Sequence, residues 1–154
     1  MTNASAPGAA SEACPGDTIF RIQDGSFSQV DPNGDVHLIG SECGACGQQM
    51  FPARARCVKC FGDQLHEYRF GSLGKVVSFT VIRQAPPGYH GPVPYVLGMV
   101  ELGGGTQVLT HLVDRGPGQW QAGDRVESCA MSLGLAADAP PCGQSFAFRP
   151  TTRS

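Results

Sequence analysis

The sequence predicts a mainly β chain in two parts, a small metal-held ribbon followed by a five-stranded barrel. Three observations carry that reading. Glycine and proline, 21 and 12 of 154 residues, punctuate the chain too often for long helices. Four of the seven cysteines fall into two C-x2-C pairs between Cys43 and Cys60. Beyond residue 70, five short runs rich in Val, Ile, Thr and Phe are separated by turn residues. Hydrophobic residues make up 41% and charged residues 16%, so the chain can bury a core and is not built for disorder. A net charge of −2 argues against a protein that wraps DNA. No run approaches the roughly 18 apolar residues of a membrane span.

Residues 1–17 (MTNASAPGAASEACPGD) read as a low-complexity tail. They lack the basic start and the apolar stretch of a secretory leader, so a cytoplasmic location is expected. In a reducing compartment, cysteines read first as metal ligands or free thiols rather than as a disulfide frame. Residues 18–40 form a lead-in with a turn signal at Asp31-Pro32-Asn33-Gly34 and a short apolar pair, Leu38-Ile39. Little regular structure is expected there beyond a short helix or one hairpin.

Residues 41–70 are the expected ribbon. Cys43, Cys46, Cys57 and Cys60 give the spacing C-x2-C-x10-C-x2-C. Each pair lets one tight turn aim two thiolates at one ion, and ten intervening residues allow the two turns to meet. Four thiolates satisfy the tetrahedral preference of Zn²⁺, with Zn–S of about 2.3 Å. Small residues at Gly44, Gly47 and Gly62 leave room for backbone N–H groups to face sulfur. A site closed by four thiolates has no open position, so the zinc is expected to be structural. Iron in the same cage is the competing reading. A redox-active C-x2-C pair would call for a βαβ setting, which surrounds neither pair.

Residues 71–154 are the expected barrel. Its strands are Lys75–Arg83, Tyr95–Leu102, Thr106–Asp114, Arg125–Leu133 and Ser145–Arg149. Gly103-Gly104-Gly105 suits a hairpin between the second and third. In the first strand Val77, Phe79 and Val81 alternate with Val76, Thr80 and Ile82, so both faces are apolar in part. That fits a barrel filled inside and covered outside. Five antiparallel strands closing on themselves give the OB-type architecture. A helix around Gly116–Ala122 is disfavoured by Gly116-Pro117-Gly118.

Few other residues point to chemistry. Arg54, Arg56 and Lys59 flank the second cysteine pair. They read either as a contact for an anionic ligand or partner, or as a solvated face that offsets a negative metal–thiolate centre. Gln84–Pro94 (QAPPGYHGPVP) carries four prolines and two glycines around Tyr89 and His90. A loop so stiffened suits a protein or ligand contact, or it is a plain surface connection. The histidines His37, His66, His90 and His111 are scattered, and His111 reads as a half-buried neutral ring in a strand. Cys129 reads as a core residue, Cys142 as a turn residue and Cys14 as part of the tail. Neither a catalytic triad nor a phosphate-binding glycine loop is present, so no catalytic residue is expected in this chain.

Several stretches together resemble a known family: Gly40–Gly47 (GSECGACG), Phe51-Pro52, Cys57–Cys60, Gly74–Val81 (GKVVSFTV), Pro94–Leu102 (PYVLGMVEL), Ala122–Val126 (AGDRV) and Phe148-Arg149-Pro150. The family comprises small bacterial and archaeal proteins that join a rubredoxin-like zinc ribbon to an OB-fold. They are encoded beside thiolase-like or hydroxymethylglutaryl-CoA-synthase-like enzymes. The resemblance spans roughly residues 38–150. It implies a non-catalytic zinc subunit of a thiolase-like catalytic chain, with acyl-CoA handled through that partner. The small subunit of the benzoylsuccinyl-CoA thiolase of anaerobic toluene degradation is similar in setting. Competing readings are a stand-alone CoA or acyl-CoA binder, a single-strand nucleic-acid module and a rubredoxin-like electron carrier. The low net charge and 8% aromatic content weigh against the nucleic-acid reading.

Overall fold

A computed structural model describes residues 20–21, 32, 35–87, 89, 91–133 and 143–151. The tail 1–17, most of the lead-in, Cys14 and Cys142 lie outside the described residues. The strands are β1 (Phe20–Arg21), β2 (Ile39–Cys43), β3 (Gln49–Met50), β4 (Leu65–Arg69), β5 (Leu73–Ile82), β6 (Tyr95–Glu101), β7 (Gln107–Leu112), β8 (Arg125–Leu133) and β9 (Gly143–Pro150).

The last five close into a barrel. β5 pairs antiparallel with β6, and β6 with β7. β7 then pairs parallel with β9, in the register His111↔Ala147 and Leu112↔Phe148. β9 returns antiparallel to β8, and β8 closes the ring on β5 at Leu73↔Glu127. This is the expected OB-type barrel, with every strand end within two residues of its sequence-based position. The region around Gly116–Ala122 contains only a 3-10 turn, Pro117–Gln119. β1 adds a short parallel pairing to the start of β9.

Alternation explains which side chains fill the barrel. Along β6, Val96, Gly98 and Val100 are buried, while the residues between them are half-buried. Along β7, Val108, Thr110 and Leu112 point inward. A side chain at Gly98 would overlap Leu112, so that position has room only for glycine. Val76, Val126, Phe146, Phe148 and Trp120 complete the filling. Burying each such side chain contributes about 1.5–3 kcal/mol. The outer face departs from expectation. β5 has a bulge between Val76 and Ser78, and its pairing with β8 ends at Lys75. Val77 and Phe79 are left 39% and 36% exposed, so among the described residues the outer face is not covered.

The ribbon is the three-stranded sheet β3-β2-β4. Its junction with the barrel is built from residues the sequence reading placed in the lead-in. Val36 and Leu38 are fully buried and belong to the barrel's core. Phe70 N–H donates to Leu38 O at 2.9 Å, and Ser128 Oγ donates to Val36 O deep in the barrel. Phe51 packs edge-on against Phe70 and Phe146, with centroids 6.5 and 5.7 Å away. Buried Glu127 accepts from Arg149 Nε at 3.1 Å and from Thr151 Oγ1 at 3.2 Å. The same guanidinium lies 3.7 Å from buried Asp35. No helix among the described residues is long and apolar enough to cross a membrane.

Candidate metal centre

The two cysteine pairs meet at the tip of the ribbon. The Sγ atoms of Cys43, Cys46, Cys57 and Cys60 all lie within 4.8 Å of one another. Cys43 Sγ is 3.6 Å from Cys60 Sγ, and Cys46 Sγ is 3.5 Å from Cys57 Sγ. A tetrahedron with Zn–S bonds of 2.3 Å has S···S edges of about 3.8 Å. The four sulfurs therefore fit one tetrahedral ion. Cys43 and Cys57 are buried, whereas Cys46 and Cys60 face solvent.

Each pair sits on a tight knuckle of the same backbone plan. In the first, Cys43 N–H donates to Gln48 O at 2.9 Å and Gly47 N–H to Cys43 O at 2.8 Å. In the second, Cys57 N–H donates to Gly62 O at 2.9 Å and Phe61 N–H to Cys57 O at 3.1 Å. Within these turns, backbone N–H groups aim at sulfur: Ala45 at Cys43 (3.4 Å), Lys59 and Cys60 at Cys57 (3.3 and 3.5 Å). Such donors favour the thiolate. The N–H groups of Cys60 and Lys59 bring Cys57 down to about 6. Those of Cys46 and Ala45 lower Cys43. The Gln48 N–H also favours the thiolate at Cys46, but desolvation and the three neighbouring sulfurs outweigh it and push that thiol up to about 11. Four sulfurs this close cannot all ionise without a cation between them, and a divalent ion supplies that charge. Metal, once bound, closes all four positions and acts as a fastener.

The remaining candidates are not gathered at this centre. Arg54, Arg56 and Lys59 are exposed on and beside the second knuckle. None of the three makes an ion pair among the described residues. Arg54 N–H donates to Ser41 Oγ at 3.1 Å, and Arg56 Nη1 lies 3.5 Å from Phe61 O. Tyr89 belongs to the barrel instead. Its ring stacks on Tyr95 at 4.7 Å, Tyr95 lies 5.3 Å from His111, and its hydroxyl donates to Pro92 O at 2.9 Å. This ladder pins the proline-rich loop to the outside of β6 and β7. His90 lies outside the described residues. His111 is half-buried, and desolvation lowers its pKa, which keeps the ring neutral. Cys129 is buried, and desolvation pushes its thiol up to about 12, the opposite of an activated nucleophile.

One residue here lies outside every motif noted in the sequence. Phe61 occupies in the second knuckle the slot that Gly47 holds in the first. Its φ is 62°, and its side chain is 72% exposed. Aligning the two knuckles, CGACG with CVKCF, would have revealed the mismatch.

Comparison with known proteins agrees with this anatomy. Residues 35–66 match the model of the ChsH2 rubredoxin-like zinc ribbon domain, and residues 69–130 match that of the ChsH2 C-terminal OB-fold domain. The chain is 32% identical over 117 residues to a DUF35 domain-containing scaffold protein of Methanothermobacter thermautotrophicus, covering 75% of this chain and 88% of that one. A DUF35 domain-containing scaffold protein of Pyrococcus furiosus is also 32% identical over 117 residues, covering 76% and 85%. Among solved structures, a chain of one described as the Ltp2–ChsH2(DUF35) aldolase superposes with a TM-score of 0.59 at 27% identity. That superposition covers 74% of this chain and 84% of the other.

Proposed function

This chain belongs to the DUF35 family of ChsH2-type ribbon-and-barrel proteins, and from that premise we propose that it is a non-catalytic zinc subunit of a thiolase-like enzyme acting on acyl-CoA. The observation that carries the proposal is the likeness to a DUF35 chain solved as part of an Ltp2–ChsH2 aldolase, over 84% of that chain. Thiolysis of an acyl-CoA needs a nucleophile and a base, and retro-aldol cleavage needs a base for the β-hydroxyl proton and a donor for the enolate, groups which the partner would supply. This chain's part is mechanical. The ion fastens residues 41–70 into a rigid wedge, and the barrel of residues 71–154 carries it. Zinc fits the four-thiolate set without a redox role, and iron is the alternative. Arg54, Arg56, Lys59, Tyr89 and His90 are the proposed contacts with the partner or its CoA, and the cytoplasm is the proposed location. Aromatic-compound degradation, of the benzoylsuccinyl-CoA type, is the proposed setting.

The test is co-expression with the thiolase-like chains of the same organism. A single complex on size exclusion, whose acyl-CoA cleavage activity requires both chains, is expected. Two separate species, with the catalytic chain fully active alone, would contradict the proposal.

A second reading, CoA binding by this chain itself, draws on one feature. A cleft of about 330 Å³ at one end of the barrel is lined by Lys75, Arg125, Glu101 and Thr151 over Leu102 and Val126. Lys75 and Arg125 face each other directly across β5 and β8. Like charges so placed repel; Glu101, opposite Lys75 on β6, offsets part of this, and a phosphate would relieve the rest. Calorimetry of the isolated chain with CoA decides, since heat of binding at millimolar CoA is required by this reading alone.

A further inference from the structure

The twin knuckles make Phe61 conspicuous. The residue after the second cysteine is left-handed in both, with φ of 78° at Gly47 and 62° at Phe61. Glycine adopts that conformation freely, whereas a bulky L-residue does not. A Cβ built on Gly47 would meet nothing within 4 Å. The slot therefore calls for glycine because of its dihedral and not for lack of space. Phe61 accepts the strained dihedral and gains no burial in return. Its ring is 72% exposed, and Val58 of the same knuckle is 54% exposed. Neither metal holding nor packing of the isolated chain accounts for the ring, since Gly47 makes the same turn without one. Strain kept without local benefit is characteristic of functional positions.

We infer that Phe61, with Val58, is the anchor by which the ribbon seats in an apolar pocket on the catalytic chain, a pocket rimmed by carboxylates. The inference rests on the accessory-subunit reading above. The rim chemistry follows from charge. Between Phe51 and Gln64 the exposed ionised side chains are Arg54, Arg56 and Lys59 against the single carboxylate of Asp63. A divalent ion on four thiolates adds a net charge of about −2 spread over the sulfurs, while the three cationic side chains are open to a partner. An aromatic centre ringed by charges is the anatomy of a binding hot spot. A knuckle held by metal loses little further freedom on docking, so the contact energy is not spent on ordering the loop.

The experiment measures the affinity of the zinc-loaded full chain for the thiolase-like chains of the same organism, for wild type, Phe61→Gly and Phe61→Asn. Both substitutions tolerate the left-handed turn. Expected are an unfolding midpoint at or above that of wild type, one metal ion per chain, and affinity weakened by at least about 30-fold. The double substitution Arg54→Glu/Lys59→Glu should also weaken binding and flatten its dependence on salt. Wild-type affinity in Phe61→Gly would overturn the anchor and leave the subunit reading standing. So would loss of metal or a lowered midpoint, since Phe61 would then be a structural residue. Failure of the wild-type chain to bind would overturn both.

Discussion

The barrel and the ribbon reach order by different means. The barrel gathers 13 buried apolar residues, from Val36 to Phe148, inside five strands whose ring closes where β8 pairs with Leu73–Lys75 of β5. The ribbon buries only Cys43, Met50 and Cys57, with Leu65 packed beside them. Two of those three core residues are among the four cysteines arranged for metal binding. A region that small cannot offset its chain entropy by apolar burial, so the ion takes the place of a core. The two regions nevertheless share a seam, because Phe51 packs against Phe70 and against Phe146 of the barrel.

That contrast predicts opposite sensitivities. The largest effect is expected from Cys57→Ser, which removes a buried ligand. Structural zinc contributes on the order of 10 kcal/mol in small fingers. The variant should lose its stoichiometric metal, measured by mass spectrometry of the native protein, and the ribbon's order with it. Phe148→Ala should leave the metal in place and cost the barrel about 3–5 kcal/mol in chemical denaturation. A reversal of these two outcomes would dissolve the distinction between the regions.

A smaller effect sharpens the picture at the seam. Arg149→Met would leave the buried carboxylates of Glu127 and Asp35 without their guanidinium. Breaking a buried pair costs about 3–5 kcal/mol, and the 30% exposure of Arg149 brings the expected loss to the lower end. Double substitution with Glu127→Gln should recover part of it, because the desolvated charge goes too.

The smallest effect concerns pH. Burial lowers the pKa of His111 in the folded chain. The unfolded state therefore binds the proton more readily, and stability rises with pH across the window below the ordinary value near 6.5. The contribution is complete above about 6.5 and is lost as pH falls through the lowered folded value. His111→Gln should flatten that part of the stability curve, measured as midpoint against pH.

Much of this anatomy was legible in the sequence because it is local. C-x2-C spacing states directly which four sulfurs converge, and Val- and Thr-rich runs between Gly/Pro turns mark each barrel strand. Features that depend on distant partners were not legible. Val36 and Leu38 are too few to show a period, yet they fill the barrel. Nothing local signals that β9 runs parallel to β7, or that Arg149 reaches Asp35. The apolar outer residues of β5 suggested a covered face, but a bulge and an early end to pairing leave them open. Phe61 stands out in the sequence only when the two knuckles are aligned, and its strain only when its dihedral is known.

The most direct test is amide hydrogen exchange of the full chain with and without a zinc chelator, read region by region. Protection should vanish in β2, β3 and both knuckles on chelation and persist in β6, β7, β8 and β9. Ribbon amides that stay protected in the metal-free chain would contradict the claim that an ion stands in for the ribbon's core.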